Sequence, residues 1–175
     1  PPDSNIIQHA PPHLEFFNDI GGFVNNGTEY EIWPGQGRST PAPWINVMAN
    51  PGFGCFVSET GGGYTWAGNS RENKLTTWSN DPVVDGEAEA LYIKDDVTKK
   101  IWSISPKPIR DSGEYVIEHG YGFSTFKHEA NEILGEMTVF ADMNESIKIC
   151  RIKLKNIGEV KRKLSLTYYA KLVLV

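Results

Sequence analysis

Lys163-Leu164-Ser165-Leu166-Thr167-Tyr168-Tyr169-Ala170-Lys171-Leu172-Val173-Leu174-Val175 alternates between two kinds of residue. Leu164, Leu166, Tyr168, Ala170, Leu172 and Leu174 fall on one side, and Lys163, Ser165, Thr167, Tyr169 and Lys171 on the other. Successive side chains of a strand point to opposite faces, so a period of two marks a strand with one buried face. Upstream, Ile147 and Ile149 hold one phase while Ile152 and Leu154 hold the other. That flip near Cys150 and Arg151 predicts a bulge or burial on both faces. Ile133, Met137 and Val139 mark a further strand. Strands are expected over 131–141, 146–156 and 162–174, joined as an antiparallel meander through turns at Asp142–Glu145 and Ile157–Val160.

Working outward, three hairpins follow from turn chemistry. Phe23 to Ile32 straddles Asn25-Asn26-Gly27, residues that tolerate positive φ. Phe53 to Trp66 straddles Gly61-Gly62-Gly63, and Asp95-Asp96-Val97-Thr98 separates Ala90–Lys94 from Ile101–Ser103. Helix signals are nearly absent, and seventeen glycines and eleven prolines punctuate the chain at short intervals. Many antiparallel strands with one polar face imply two packed sheets, so the expected fold is all-β, an antiparallel two-sheet β-sandwich. Residues 1–12 read as a loosely ordered N-terminal segment and 13–175 as the sandwich. A strand that stops on Val175 reads as an excerpt of a larger polypeptide, or as a chain whose end is covered by a partner.

The 175 residues suit one domain with a real core, and a net charge of −5 argues against a nucleic-acid surface. Lys153, Lys155, Lys161, Arg162 and Lys163 flank apolar strand residues and read as a solvated edge. Cys55 and Cys150 sit among apolar neighbours and read as free thiols, without metal-ligand spacing. No apolar run is long enough for a membrane span and no leader-like segment opens the chain, which reads as cytoplasmic.

The two long irregular stretches are 33–43 and 68–88, and long loops in compact domains usually carry function. Gly63 to Pro82 interleaves two tryptophans with three asparagines, an arginine and two carboxylates. Aromatic faces cover the apolar face of a pyranose, while amides and a guanidinium fork meet its hydroxyls. The candidate sugar-binding residues are Trp66, Asn69, Arg71, Asn73, Trp78, Asn80 and Asp81. Each has a plain alternative. Arg71 can pair with Asp81 or Asp85, Glu72 with Arg71 or Lys74, and the asparagines can serve as turn or cap residues. Trp66 is expected in the core and Trp78 on an exposed loop. Asp85, Glu87 and Glu89 read as a solvated acidic run. No catalytic residue and no cofactor site is assigned.

These segments resemble one family. Gly21-Gly22-Phe23, Glu29-Tyr30, Thr40 to Val47, Asn50 to Gly54, Gly63 to Trp66, Asn69 to Asn73, Trp78 to Pro82, His119 to Gly122 and Leu164 to Tyr168 are similar, in order, to the N-terminal β-sandwich of glycoside hydrolase family 94, formerly glycosyltransferase family 36. The resemblance covers roughly residues 14–175. Asn69-Ser70-Arg71-Glu72-Asn73 and Trp78-Ser79-Asn80-Asp81-Pro82 look like the branch of cyclic β-1,2-glucan synthases and β-1,2-oligoglucan phosphorylases. It implies a supersandwich of galactose-mutarotase-like type, accessory to a helical barrel that carries the general acid. It also implies a β-glucan oligosaccharide as ligand, inorganic phosphate as co-substrate of the parent enzyme, and a homodimer. The other reading is a free-standing carbohydrate-binding or interaction module without chemistry.

Overall fold

A computed structural model describes residues 13–35, 37–79, 81 and 85–174. Twelve strands are described: β1 (Gly21–Val24), β2 (Glu29–Ile32), β3 (Ile45–Asn50), β4 (Phe53–Ser58), β5 (Gly63–Ala67), β6 (Glu89–Asp95), β7 (Ile101–Trp102), β8 (Tyr115–Gly120), β9 (Phe123–Ala130), β10 (Ile133–Ala141), β11 (Lys148–Asn156) and β12 (Leu164–Ala170). They form a six-stranded sheet in the order β1-β2-β8-β9-β10-β11 and two three-stranded sheets, β3-β4-β5 and β12-β6-β7. One continuous core joins all three. Ile117, Phe126, Ile133, Met137 and Val139 come from the large sheet, Met48, Cys55 and Val57 from the second, and Leu91, Ile93 and Trp102 from the third. This is the expected sandwich: the two small sheets share one face of the large one. The call of residues 1–12 as loosely ordered lies outside the described residues.

The three hairpins form where turn chemistry places them. Asn25, Asn26 and Gly27 take positive φ values of 51°, 57° and 80° between β1 and β2. Strand β4 is buried along its whole length because the segment after β5 covers its outer face. At Gly54 the indole of Trp66 lies so close that a Cβ would sit 2.4 Å from it, so only glycine fits there.

Two expectations are corrected. Strand β11 pairs with β10 in unbroken register from Ala141↔Lys148 to Ile133↔Asn156, so there is no bulge. Ile147 belongs to the preceding turn, and Cys150, Ile152 and Leu154 share the inner face. Strand β12 does not continue the meander but crosses to the other layer and pairs with β6, Leu164↔Asp95 through Ala170↔Glu89. Apolar alternation is equally satisfied by either neighbour. Arg162 settles the matter: its guanidinium donates to Asp95 Oδ2 at 2.9 Å and to Glu132 Oε2, steering the chain across the sandwich just before β12.

Glu89 ties the three sheets together. Its Oε1 accepts from Thr65 Oγ1 of β5 (2.6 Å) and Thr76 Oγ1 (2.8 Å). Its Oε2 accepts from Tyr168 OH of β12 (2.6 Å) and from Lys148 Nζ of β11. Burial alone would raise this carboxyl, but the Lys148 ammonium and the surrounding donors hold it down at about 2. A group that sequence position marks as solvated is therefore a buried, fully ligated anion. A second tie joins β3 to the β8–β9 hairpin. Asn46 Nδ2 donates to Gly120 O (2.9 Å) and Phe123 O (2.7 Å). His119 Nε2 donates to Trp44 O at 3.1 Å, and its Nδ1 lies in hydrogen-bond contact with Ser124 Oγ at 2.9 Å. Burial pushes this imidazole down to about 4, against the hydrogen bond to Trp44.

Glu89→Gln keeps the shape but leaves Lys148 buried without its counter-charge, and a loss of about 3–5 kcal/mol in urea unfolding at pH 7 is expected. An unchanged midpoint would remove Glu89 from this role. Acid should unfold the chain in two windows. Below about pH 6.5 the unfolded state protonates His119 while the fold resists, so stability falls until about pH 4. Glu89 contributes above its ordinary 4.5, and that part is lost as the pH drops toward 2. Following stability against pH in His119→Gln checks the first window, which should flatten.

Candidate functional site

Residues 68–74 form a short protrusion closed by its own hydrogen bonds. Asn69 Oδ1 accepts from the amides of Arg71 (2.8 Å) and Glu72 (3.0 Å), an Asx turn. Ala67 N donates to Asn73 O (3.1 Å), Asn73 N to Asn69 O (3.0 Å) and Gly68 N to Gly52 O (2.8 Å). Tyr64 OH fastens the protrusion from below through Ser70 O at 3.1 Å. The backbone is thus fixed while the side chains at its tip face solvent. Arg71 is 89% exposed and touches neither Asp81 nor Asp85; its Nε lies 3.3 Å from Glu72 Oε1, itself 72% exposed. Such a surface pair is worth little and leaves the guanidinium available. Asn73 is exposed, and its side-chain amide has no hydrogen-bond partner among the described residues.

Trp78 is exposed as expected, whereas Trp66, expected in the core, reaches only an intermediate burial outside it. Trp66 is half-buried over β4, its ring 5.1 Å from that of Tyr64. Trp78 stacks on Tyr64 at 4.9 Å with an interplanar angle of 6°, stands edge-on to Phe56, and is 40% exposed. Lys74 Nζ sits 5.9 Å from its ring centroid. Trp78 and Asp81 together line a cleft of about 180 Å³ with Phe56, Ile45 and Asp85. Of the seven residues singled out from sequence, these two meet in one cleft. Arg71 and Asn73 project from the protrusion, Asn69 builds its turn, and Trp66 packs on the sheet. Asn80 lies outside the described residues.

Asp85 is another group that the sequence reading missed. Rather than facing water in an acidic run, its Oδ2 accepts from Ser58 Oγ (2.8 Å) and from Thr60 Oγ1, and Lys107 Nζ donates to its backbone oxygen at 2.6 Å. Glu59, which does not line the cleft, is buried and accepts from Thr40 Oγ1 and from Trp44 N at 2.8 Å. Burial raises this carboxyl, with those hydrogen bonds opposing the shift. It holds Thr40-Pro41-Ala42-Pro43 as the rigid lead-in to β3 that the prolines suggest, and so fixes the Ala42–Pro43 side of the cleft. The only local signal for these two acids is the hydroxyl-rich Ser58-Glu59-Thr60, which also suits an ordinary turn. Chemically, the cleft and protrusion offer an aromatic face, a carboxylate, an amide and a guanidinium. Groups of these kinds are the ones that pair with hydroxyls and cover apolar ring faces.

Comparison with known proteins fits this chemistry. The chain is 35% identical over 162 residues to a cyclic β-(1,2)-glucan synthase of Rhizobium meliloti, a match covering 92% of this chain and 6% of the synthase. It is 30% identical over 148 residues to an N,N'-diacetylchitobiose phosphorylase of Vibrio proteolyticus, covering 83% of this chain and 18% of that enzyme. A 3-O-β-D-glucopyranosyl-β-D-glucuronide phosphorylase of Paenibacillus borealis is 29% identical over 147 residues, with the same two shares. The chain thus spans less than a fifth of the length of each of these relatives. The glycosyl hydrolase 94 supersandwich domain matches residues 28–175. On the strength of that match, and of a sandwich built as the alternation requires, the chain belongs to glycosyl hydrolase family 94, as its supersandwich domain.

Proposed function

We propose that this chain is the accessory, carbohydrate-binding and dimerisation sandwich of a larger glycoside phosphorylase or glucan-acting transferase working on a β-linked, and specifically β-1,2-linked, glucan. A helical barrel elsewhere in that polypeptide carries the general acid, and inorganic phosphate is the co-substrate. The parent is a cytoplasmic homodimer, and the 68–81 segment forms part of the rim of its sugar site. The observation that carries the reading is the protrusion: its backbone is fixed by six hydrogen bonds while Arg71 and Asn73 are held outward without a fold-building role. A surface so preorganised serves a ligand better than it serves the fold. The similarity to a glucan synthase at 35% identity supports the β-1,2 assignment.

Arg71→Ala and Asn73→Ala in the parent enzyme should each lower kcat/KM by roughly ten- to more than hundredfold, the worth of a lost charged hydrogen bond to ligand. Melting temperatures should stay at the wild-type value, since surface substitutions of this kind move stability by about 0.5 kcal/mol or less. Wild-type kcat/KM in both variants would return the protrusion to a purely structural role. The 175-residue chain by itself should release no glucose 1-phosphate from β-1,2-gluco-oligosaccharide and phosphate. Release by the purified chain would place the chemistry in the sandwich.

A further inference from the structure

The strap between β7 and β8, residues 103–114, touches both long irregular stretches, 33–43 and 68–88. It is folded on itself by Ser103, whose hydroxyl proton is shared between Ser105 O (2.8 Å) and Ile109 O (2.9 Å). Near its other end Asp111 Oδ2 lies 3.0 Å from Nε2 of His128, a side chain only 1% exposed. From this base Arg110 donates through Nη2 to Gly35 O (3.0 Å) and Arg38 O (2.7 Å). Lys107 reaches the other stretch, where its ammonium donates to Asp85 O at 2.6 Å.

Lys107 acts on a weak point of the cleft wall. Asp85 takes a positive φ of 44°, a conformation that a residue with a Cβ adopts reluctantly. Its carboxylate is held by Ser58 and Thr60, which fixes the side chain but not the peptide plane that follows. That plane leads into Gly86, where an added Cβ would meet nothing nearer than Ser79 Oγ at 4.0 Å. Packing does not hold the backbone there, and glycine resists rotation least of all residues. The Lys107 ammonium grips the plane by its oxygen. Lys107 is itself seated, its amide donating to Thr60 O (2.8 Å) and its carbonyl accepting from Ser105 Oγ (2.7 Å). Asp85 N closes a turn back to Asp81 O at 3.1 Å, so Asp85 carries Asp81 with it. Asp81, Asp85 and Gly86 all line the cleft with Trp78. Glu87 stands 3.9 Å from the ammonium, a long and partly exposed pair of little worth. Neither Lys107 nor Asp85 belongs to a strand, so their bond orders loops and does not join sheets.

We propose that Lys107 is a positioning residue of the sugar site: by holding the Asp85 carbonyl it sets where Gly86 and Asp81 stand beside Trp78, and so tunes affinity for the oligosaccharide without touching it. The inference deepens the reading that the 68–81 segment rims the sugar site, and rests on it.

Steady-state kinetics of the parent enzyme on β-1,2-gluco-oligosaccharide and phosphate provide the test, with Lys107→Met, Lys107→Arg and Trp78→Ala compared. Lys107→Met keeps most of the stem and removes the charge. It should raise KM for the oligosaccharide roughly tenfold while kcat stays within about twofold of wild type. Lys107→Arg, which restores a cationic donor, should bring KM back to within about threefold of wild type. Wild-type KM in Lys107→Met, beside a raised KM in Trp78→Ala, would overturn this inference and leave the sugar site standing. So would a joint fall in kcat and melting temperature that Lys107→Arg does not rescue, the mark of a purely structural role. Wild-type KM in both Lys107→Met and Trp78→Ala, or no turnover of this substrate by the wild-type parent, would overturn the sugar-site reading and this inference with it.

Discussion

Everything in this sandwich depends on how it keeps Glu89 ionised out of water. An unpaired carboxylate in an apolar interior is too costly to keep, so it persists only where donors surround it. Here the donors come from β5, from the segment after it, from β11 and from β12, which belong to three separate sheets. Apolar packing between sheets is non-directional and would tolerate sliding. Four hydrogen bonds converging on one carboxylate do not. They set the positions of the two small sheets on the large one, and with them the positions of the loops that leave their edges.

That fixed frame gives the 68–81 segment its shape. Thr65 and Thr76 bracket the protrusion, and both donate to Glu89, so the base of the protrusion is fastened to the same carboxylate that joins the sheets. Above it, Tyr64 presents Trp78 on one side and holds Ser70 on the other. The result is a rigid rim with exposed polar groups, on a domain whose buried acids are spent on architecture. Buried Glu59 and Glu89, and half-buried Asp85, are all engaged by neighbouring hydroxyls or amides. This division fits the proposed reading, in which the domain would position a ligand and another part of the polypeptide would cleave the bond.

Much of this was legible in the sequence, and the boundary is physical. The hairpins at Asn25-Asn26-Gly27, Gly61-Gly62-Gly63 and Asp95-Asp96-Val97-Thr98 were readable because turn conformation is decided by adjacent residues. The strands at 133–141, 148–156 and 164–170 were readable because burial on one face imposes alternation. Alternation says nothing about which strand lies alongside, so the crossing of β12 to β6, steered by Arg162, was not visible. Glu89 was misread for a similar reason. Its partners Thr65, Lys148 and Tyr168 stand 24, 59 and 79 residues away, and in the chain it follows Asp85 and Glu87 like any acidic run. At the candidate site, Trp78 and Asp81 were both singled out from the sequence, whereas their meeting in one cleft, and Asp85 as a hydroxyl-bound wall of it, needed the fold. The family resemblance supplied the likeness of the segments but not which side chains build the fold and which face outward.

Native-state hydrogen exchange on Glu89→Gln tests the central claim most directly. If one carboxylate couples the three sheets, amides in β5, β6, β11 and β12 should lose protection together and by a common factor, on the order of a hundredfold for a coupling near 3 kcal/mol. Loss confined to β6 and β12, with β5 and β11 as protected as in the wild-type chain, would contradict it.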